Sequence, residues 1–88
     1  MAWKIIEEAK IITSKNVRNI LKSKIKGEVH CHVADDTLIV DIYAVNSIVF
    51  KYTLHGLAGE IVQGKSSDEL ARMIFKRYKQ YIENLLFL

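Results

Sequence analysis

From Val29 to Leu54 the apolar residues keep a strict period of two, and that parity limits how the segment can fold. Val29, Cys31 and Val33 alternate with Glu28, His30 and His32. Leu38, Val40 and Ile42 alternate with Thr37, Ile39, Asp41 and Tyr43, and Ile48, Phe50, Tyr52 and Leu54 alternate with Val49, Lys51 and Thr53. Successive strand side chains point to opposite faces, so a slip of one residue would turn an entire apolar set to water. A two-residue turn at Asp35-Asp36 pairs Val33 with Leu38, Cys31 with Val40 and Val29 with Ile42, all on one face. The second hairpin stays in phase only with an odd loop, most simply Val45-Asn46-Ser47, which pairs Ile42 with Phe50 and Val40 with Tyr52. The pattern predicts a three-stranded antiparallel meander with one buried face.

Helical periodicity flanks this sheet. Over residues 3–26, Ile6, Ala9, Thr13, Val17, Ile20 and Lys24 follow helical spacing, with Ile5, Ile12 and Leu21 widening the stripe. Thr13-Ser14-Lys15-Asn16 could cap a second helix, which leaves one helix or two open here. Gly27 stands where a helix C-terminal glycine belongs. Gly56 and Gly59 end the strand pattern, and Leu57–Gln63 reads as a short helical turn ended by Gly64. Ser66-Ser67-Asp68-Glu69 is a capping box ahead of a long helix with the stripe Leu70, Ile74, Tyr78, Tyr81, Ile82 and Leu85. The expected fold is a single α+β domain over residues 1–88, ordered α-β-β-β-α, with two helices packed on one sheet face.

Composition narrows the functional classes. Eighty-eight residues, half of them hydrophobic, are enough for one modest core and too few for a parallel-sheet nucleotide enzyme or a barrel. No apolar run approaches the roughly 18 residues of a membrane span, and Lys4, Glu7 and Glu8 interrupt the stretch a secretory signal would need. The single cysteine, Cys31, points to a reducing cytoplasm. The net charge of +3 hides an uneven split: +5 over residues 1–26, −4 over 27–64 and +2 over 65–88.

Several constellations suggest chemistry. Gly59-x-x-x-x-Gly64-Lys65-Ser66 satisfies the phosphate-loop pattern and opens a helix. A phosphate loop follows a buried parallel strand, whereas this string follows an antiparallel meander and carries Glu60, which would repel phosphate. His30 and His32 share one strand face while Cys31 points to the other, so the three cannot act as neighbouring ligands of one ion. His30, Asp41 and Lys51 instead form a cross-strand row, His55 is the other candidate nitrogen, and no metal is expected. An inward thiol between apolar neighbours stays protonated, which argues against Cys31 as a nucleophile. No cofactor is expected, and no nucleophile–base pair or paired carboxylates emerge.

The order α-β-β-β-α is also that of double-stranded-RNA-binding domains, which grip phosphates with lysines at the start of their second helix. Here that start carries Asp68 and Glu69, and the groove-probing loop is the acidic pair Asp35-Asp36. A nucleic-acid module would have to use the basic helix faces instead: Lys15, Arg18 and Lys22 on the first helix and Arg72, Lys76 and Lys79 on the last. That is the second-ranked reading.

The outer sheet face carries Ile39, Tyr43 and Val49 among polar residues that include Lys51, the pattern of an interaction surface. Trp3 and the run Leu85-Leu86-Phe87-Leu88 add apolar surface at the two ends, and self-association and a monomer are equally compatible with it. The segments Val40-Asp41-Ile42-Tyr43, Ile48-Val49-Phe50-Lys51-Tyr52-Thr53-Leu54, Gly64 before Ser66-Ser67, and Tyr78-Lys79-Gln80-Tyr81-Ile82 resemble small phage and prophage proteins of Gram-positive bacteria. Some proteins of that kind inhibit host defence, among them anti-CRISPR proteins that block a type II effector nuclease. The resemblance implies a bacterial host cytoplasm and a bacterial defence effector as protein partner. Such inhibitors are often strongly acidic DNA mimics, and a basic chain points to docking on a protein domain. The expectation is a non-enzymatic binding protein that uses Ile39, Tyr43, Val49 and Lys51.

Overall fold

The computed structural model describes residues 2–44 and 49–86. Helix α1 (Ala2–Lys24) is followed by strands β1 (Gly27–Ala34), β2 (Thr37–Ala44) and β3 (Val49–His55), a short helix α2 (Leu57–Val62) and helix α3 (Ser67–Leu86). The strands form one antiparallel sheet in the order β1-β2-β3. Parity predicts the register correctly: Val33 faces Leu38, Cys31 faces Val40, Val29 faces Ile42, and across the next ladder Ile42 faces Phe50 and Val40 faces Tyr52. The proposed loop Val45-Asn46-Ser47, with Ile48, lies outside the described residues. The α-β-β-β-α layout is the expected one, with α2 as the short helical turn.

Both long helices cover the same sheet face. Val17 and Leu21 of α1, Leu38, Val40 and Ile42 of β2, Leu57 of α2, and Leu70, Ala71 and Ile74 of α3 are fully buried in one core. Lys10 meets the Asp35-Asp36 turn while Arg18 meets Val29, so α1 runs antiparallel to β1. Phe50, at the opposite end of the sheet, packs on Tyr78 and Tyr81 of α3. The Lys24 ammonium lies over the Phe75 ring, so α1 and α3 run side by side in the same direction. Each outruns the sheet at a different end, which draws the molecule out to 49 × 20 × 20 Å. Among the described residues, no helix is long and apolar enough to cross a membrane.

Helix α1 is continuous through Thr13–Asn16 and ends at Lys24, two residues short of the expected limit. Gly27 is the first residue of β1, with φ 134°, rather than the helix cap. The buried face of α1 is also rotated from the apolar stripe. Lys10 and Ser14, 4% and 5% exposed, stand in line with Val17 and Leu21, whereas Lys24, Ile5 and Ile12 are exposed. Hydrophobic periodicity centres the buried face on the apolar residues, so it gives Lys10 no reason to face the sheet. Lys10 is there because it has partners. Its ammonium lies 2.8 Å from a Glu7 carboxylate oxygen and 3.2 Å from Asp36 Oδ1, and it donates to the Asp35 carbonyl at 3.3 Å.

Asp36 in turn collects three elements. Its carboxylate accepts the Ala58 N–H at 2.8 Å and its carbonyl accepts the Leu57 N–H at 3.0 Å. The turn is tight enough to need a left-handed residue, supplied by Asp35 at φ 55°, a residue type that tolerates it.

The Ala58 N–H, and then Lys10, hold the Asp36 carboxyl below its ordinary value. The Glu7 carboxylate, and then Asp36, hold Lys10 above its ordinary value. The Asp36 contribution is therefore complete above about pH 4 and disappears as pH falls through its lowered folded value. That of Lys10 is complete below about pH 10.4 and disappears as pH rises through its raised folded value. Asp36→Asn keeps an acceptor for Ala58 and removes only the charge. It should lower the melting temperature at pH 7 and flatten the decline of melting temperature below pH 4. Parallel curves for the two proteins between pH 2 and 7 would show that the Asp36 charge does not matter.

Candidate functional site

The three strands turn a second face outward, and among the described residues no helix covers it. Its side chains stand in cross-strand rows: Glu28, Tyr43 and Val49; His30, Asp41 and Lys51; His32, Ile39 and Thr53. Tyr43 is 43% exposed and Val49 38% exposed, with Ile39 half-buried beside them. The His30 ring meets the Tyr43 ring edge-on at 5.6 Å, and its Nε2 lies 3.3 Å from a Glu28 carboxylate oxygen. Thr37 Oγ1 and His55 Nδ1 share a hydrogen bond of 3.1 Å at the far end. The four residues expected to bind a partner, Ile39, Tyr43, Val49 and Lys51, thus lie on one surface around Asp41.

Asp41 is the unusual member. Its Oδ1 is shielded from solvent and has no hydrogen-bond partner. Glu7 and Glu60 also bury a carboxylate oxygen, but each of those lies within 3 Å of a lysine ammonium. Buried acceptors are nearly always satisfied, so an open one marks a place where a donor belongs. Neither cross-strand neighbour, His30 or Lys51, supplies it.

Lys51 also borders a groove of about 340 Å³ between β3 and α3, lined with Phe50, Tyr52, Arg77, Gln80, Tyr81 and Asn84. Among the described residues, no three potential metal ligands gather. On the inner side, burial pushes the Cys31 thiol up to about 11, with Asp41 adding to the rise and Arg18 opposing it. A protonated thiol is a poor nucleophile at neutral pH.

The phosphate-loop string resolves into two helix ends. Gly59 lies inside α2. Gly64, at φ 89°, donates to the Ile61 carbonyl while the Lys65 N–H donates to the Glu60 carbonyl, the paired bonds of a Schellman C-cap. The Lys65 ammonium is held 2.9 Å from the Glu60 carboxylate. Ser66 then caps α3: its hydroxyl accepts the Glu69 N–H at 3.2 Å, and Glu69 accepts the Ser66 N–H at 3.3 Å. Backbone that closes helices cannot also converge on a phosphate.

The basic residues separate into two groups. Lys15 and Lys22 are exposed on the flank of α1 beside β1, and Arg18 is turned inward to donate from Nε to the Val29 carbonyl at 3.2 Å. Arg72, Lys76 and Lys79 lie on α3, where they share the Phe75 neighbourhood with Lys24. Sequence spacing placed Lys24 in an apolar stripe and gave no role to Phe75 or Arg77. The Phe75–Lys79 spacing of four residues was the available signal for part of this cluster. At the ends, Leu85 and Leu86 are exposed, while Phe87, Leu88 and the Trp3 side chain lie outside what the structure describes. The chain matches no known family model, no curated protein and no solved structure.

Two measurements check these assignments. Gly64→Ala meets no neighbouring atom but must hold a left-handed φ, which costs about 1–2 kcal/mol. Ser66→Ala should cost about 1 kcal/mol through the lost cap, and Lys65→Ala should leave folding nearly unchanged. Denaturant midpoints that rank Lys65→Ala as the most damaging of the three would contradict the helix-end reading. Separately, iodoacetamide at pH 7.5 should alkylate Cys31 in the folded protein more than about tenfold more slowly than in guanidinium. Equal rates would mean that the thiol is open and ionisable.

Proposed function

We propose that the protein is a non-enzymatic binding module that docks a protein partner on the outer face of its sheet. The carrying observation is the uncovered apolar group Ile39, Tyr43 and Val49 surrounding a shielded, unsatisfied Asp41 oxygen. A partner that fits would seat an apolar side chain against Tyr43 and Val49 and bring an N–H donor, such as an arginine, to Asp41. Such a contact combines an aromatic anchor with a desolvated polar pair, the usual composition of an interface centre. Lys51 supplies one charge at the rim.

The resemblance to small phage proteins gives this reading a setting, in which the partner is a host defence nuclease and binding inhibits it. The net charge of +3 favours contact with a protein domain of such an enzyme over imitation of its DNA.

The test compares Tyr43→Ala, Ile39→Glu and Asp41→Ala with Lys65→Ala as control. The protein captured by wild type from nuclease-treated bacterial lysate is purified and titrated against each variant, with melting temperature and oligomer mass measured alongside. Surface changes usually alter stability within about 0.5 kcal/mol, while loss of a central anchor weakens an interface by about 2 kcal/mol, or roughly 30-fold. Tyr43→Ala and Ile39→Glu should therefore fold and lose affinity by that amount, and Lys65→Ala should bind as wild type does. Equal affinity for all four proteins would overturn the assignment. A wild-type dimer that Tyr43→Ala makes monomeric would show a second copy to be the occupant of the face.

A further inference from the structure

The opposite side of the molecule carries a second feature that sheet-face docking does not use. Where α1 and α3 lie side by side, the ammonium groups of Lys24 and Lys79 both stand 5.8 Å from the centroid of the half-buried Phe75 ring. Arg72 and Lys76 complete the group, and together with Phe75, Lys79, Gln80 and Glu83 they line a shallow hollow of about 360 Å³. Among the described residues none of Lys24, Arg72, Lys76 and Lys79 is in an ion pair, whereas Lys10 and Lys65 both are. Glu83 is the one carboxylate in the lining.

Part of this charge has a local explanation. Lys22 and Lys24 in the last turn of α1 complement the negative end of the helix dipole. That account does not extend to Arg72, Lys76 and Lys79, which sit in the body of α3. Converging like charges repel one another, and what they hold in common is the ability to face an anion.

We infer that this cluster is a binding track for the phosphodiester backbone of a nucleic acid, read without regard to sequence. Arg72 to Lys79 spans about 10 Å of helix axis at 1.5 Å per residue. A nucleic-acid strand carries one phosphate per about 3.4 Å along its axis, so the row meets about three phosphates. The track begins at Arg72, because Asp68 and Glu69 occupy the first turn of α3. An anionic membrane is a poorer fit. An interfacial helix places exposed apolar residues beside its cations, whereas the apolar stripe of α3 is buried in the core at Leu70, Ala71 and Ile74. The exposed apolar side chains of α1, Ile5, Ile11 and Ile12, lie in its first half, away from Lys24, and those of α3, Tyr81, Leu85 and Leu86, follow the cationic row toward the end of the helix. This track differs from the row Lys15, Arg18 and Lys22, which lies on the far flank of α1 and has Arg18 committed to Val29.

Fluorescence anisotropy with a labelled 20-nucleotide single strand and the matching duplex tests the inference between 50 and 200 mM salt. With three to four phosphates neutralised, the logarithmic salt slope should be about −3. Lys76→Glu with Lys79→Glu should lower affinity at 50 mM salt by more than about tenfold and roughly halve the slope. The charge-neutral pair Lys76→Gln with Lys79→Gln should show the same direction with less risk to folding, which circular dichroism monitors. Lys15→Glu with Lys22→Glu should stay within about twofold of wild type. The inference is overturned by absence of binding at 50 mM salt, by a salt-independent signal, or by loss confined to the Lys15 and Lys22 pair. Phosphatidylserine vesicles binding as tightly as the oligonucleotides would overturn it in favour of a lipid surface.

Discussion

A single carboxylate, that of Asp36, decides how the layers of this protein are fixed to one another. It sits in a two-residue turn, accepts from the start of α2 and pairs with a lysine that α1 buries against the sheet. Moving α1 by one turn along the sheet would carry Glu7 with it but would part the nearly solvent-free Lys10 ammonium from Asp36 and from the Asp35 carbonyl. A buried cation tolerates displacement poorly, because losing one partner leaves the whole desolvation penalty uncompensated. The apolar contacts of Val17 and Leu21 would accept a range of sliding positions on a surface of Val and Ile. The ion pair accepts one. Hydrophobic burial makes the layers adhere, and the Lys10–Asp36 contact specifies where.

Once α1 is placed this way, the charge pattern of the chain becomes a property of sides. The acidic middle of the sequence forms the sheet and its turn, and the basic flanks form a helical layer on one side of it. The outer sheet face carries both signs in small number around an apolar centre, as a protein-binding surface does. The helical side gathers cations around one aromatic ring. One small domain therefore offers two faces of different chemistry, separated by the thickness of the core, so that two ligands could be held without competing.

Much of the sheet was legible because strand parity is a discrete property. A two-residue turn at Asp35-Asp36 and the even positions Leu38 to Leu54 admit one self-consistent pairing, and that pairing is the one found. The capping box at Ser66 and Glu69 was equally readable, since it is a local contact between residues three apart. The rotation of α1 was not readable, because its key residue is a lysine whose reason for burial comes from residues 25 positions away. The composition of the Phe75 cluster was hidden for the same kind of reason: Lys24 joins it only through the packing of two helices. The outer sheet face was foreseen as a row of residues, yet the unsatisfied oxygen at its centre depends on atomic positions that no spacing rule supplies.

The side-by-side packing of α1 and α3 has a consequence for the order in which the molecule can assemble. The two helices are separated by about half the chain, so the core closes only by a long-range contact, the kind that slows folding. Both hairpins can pair earlier from local contacts, but their apolar face keeps half its cover missing until α3 arrives. On a ribosome adding about 5–20 residues per second, that interval lasts seconds. An open β-surface with free edges is then most exposed to mispairing with other chains. A helix that carries its own start signal in Ser66 and Glu69 shortens this interval, because its first turn can form before it reaches the sheet.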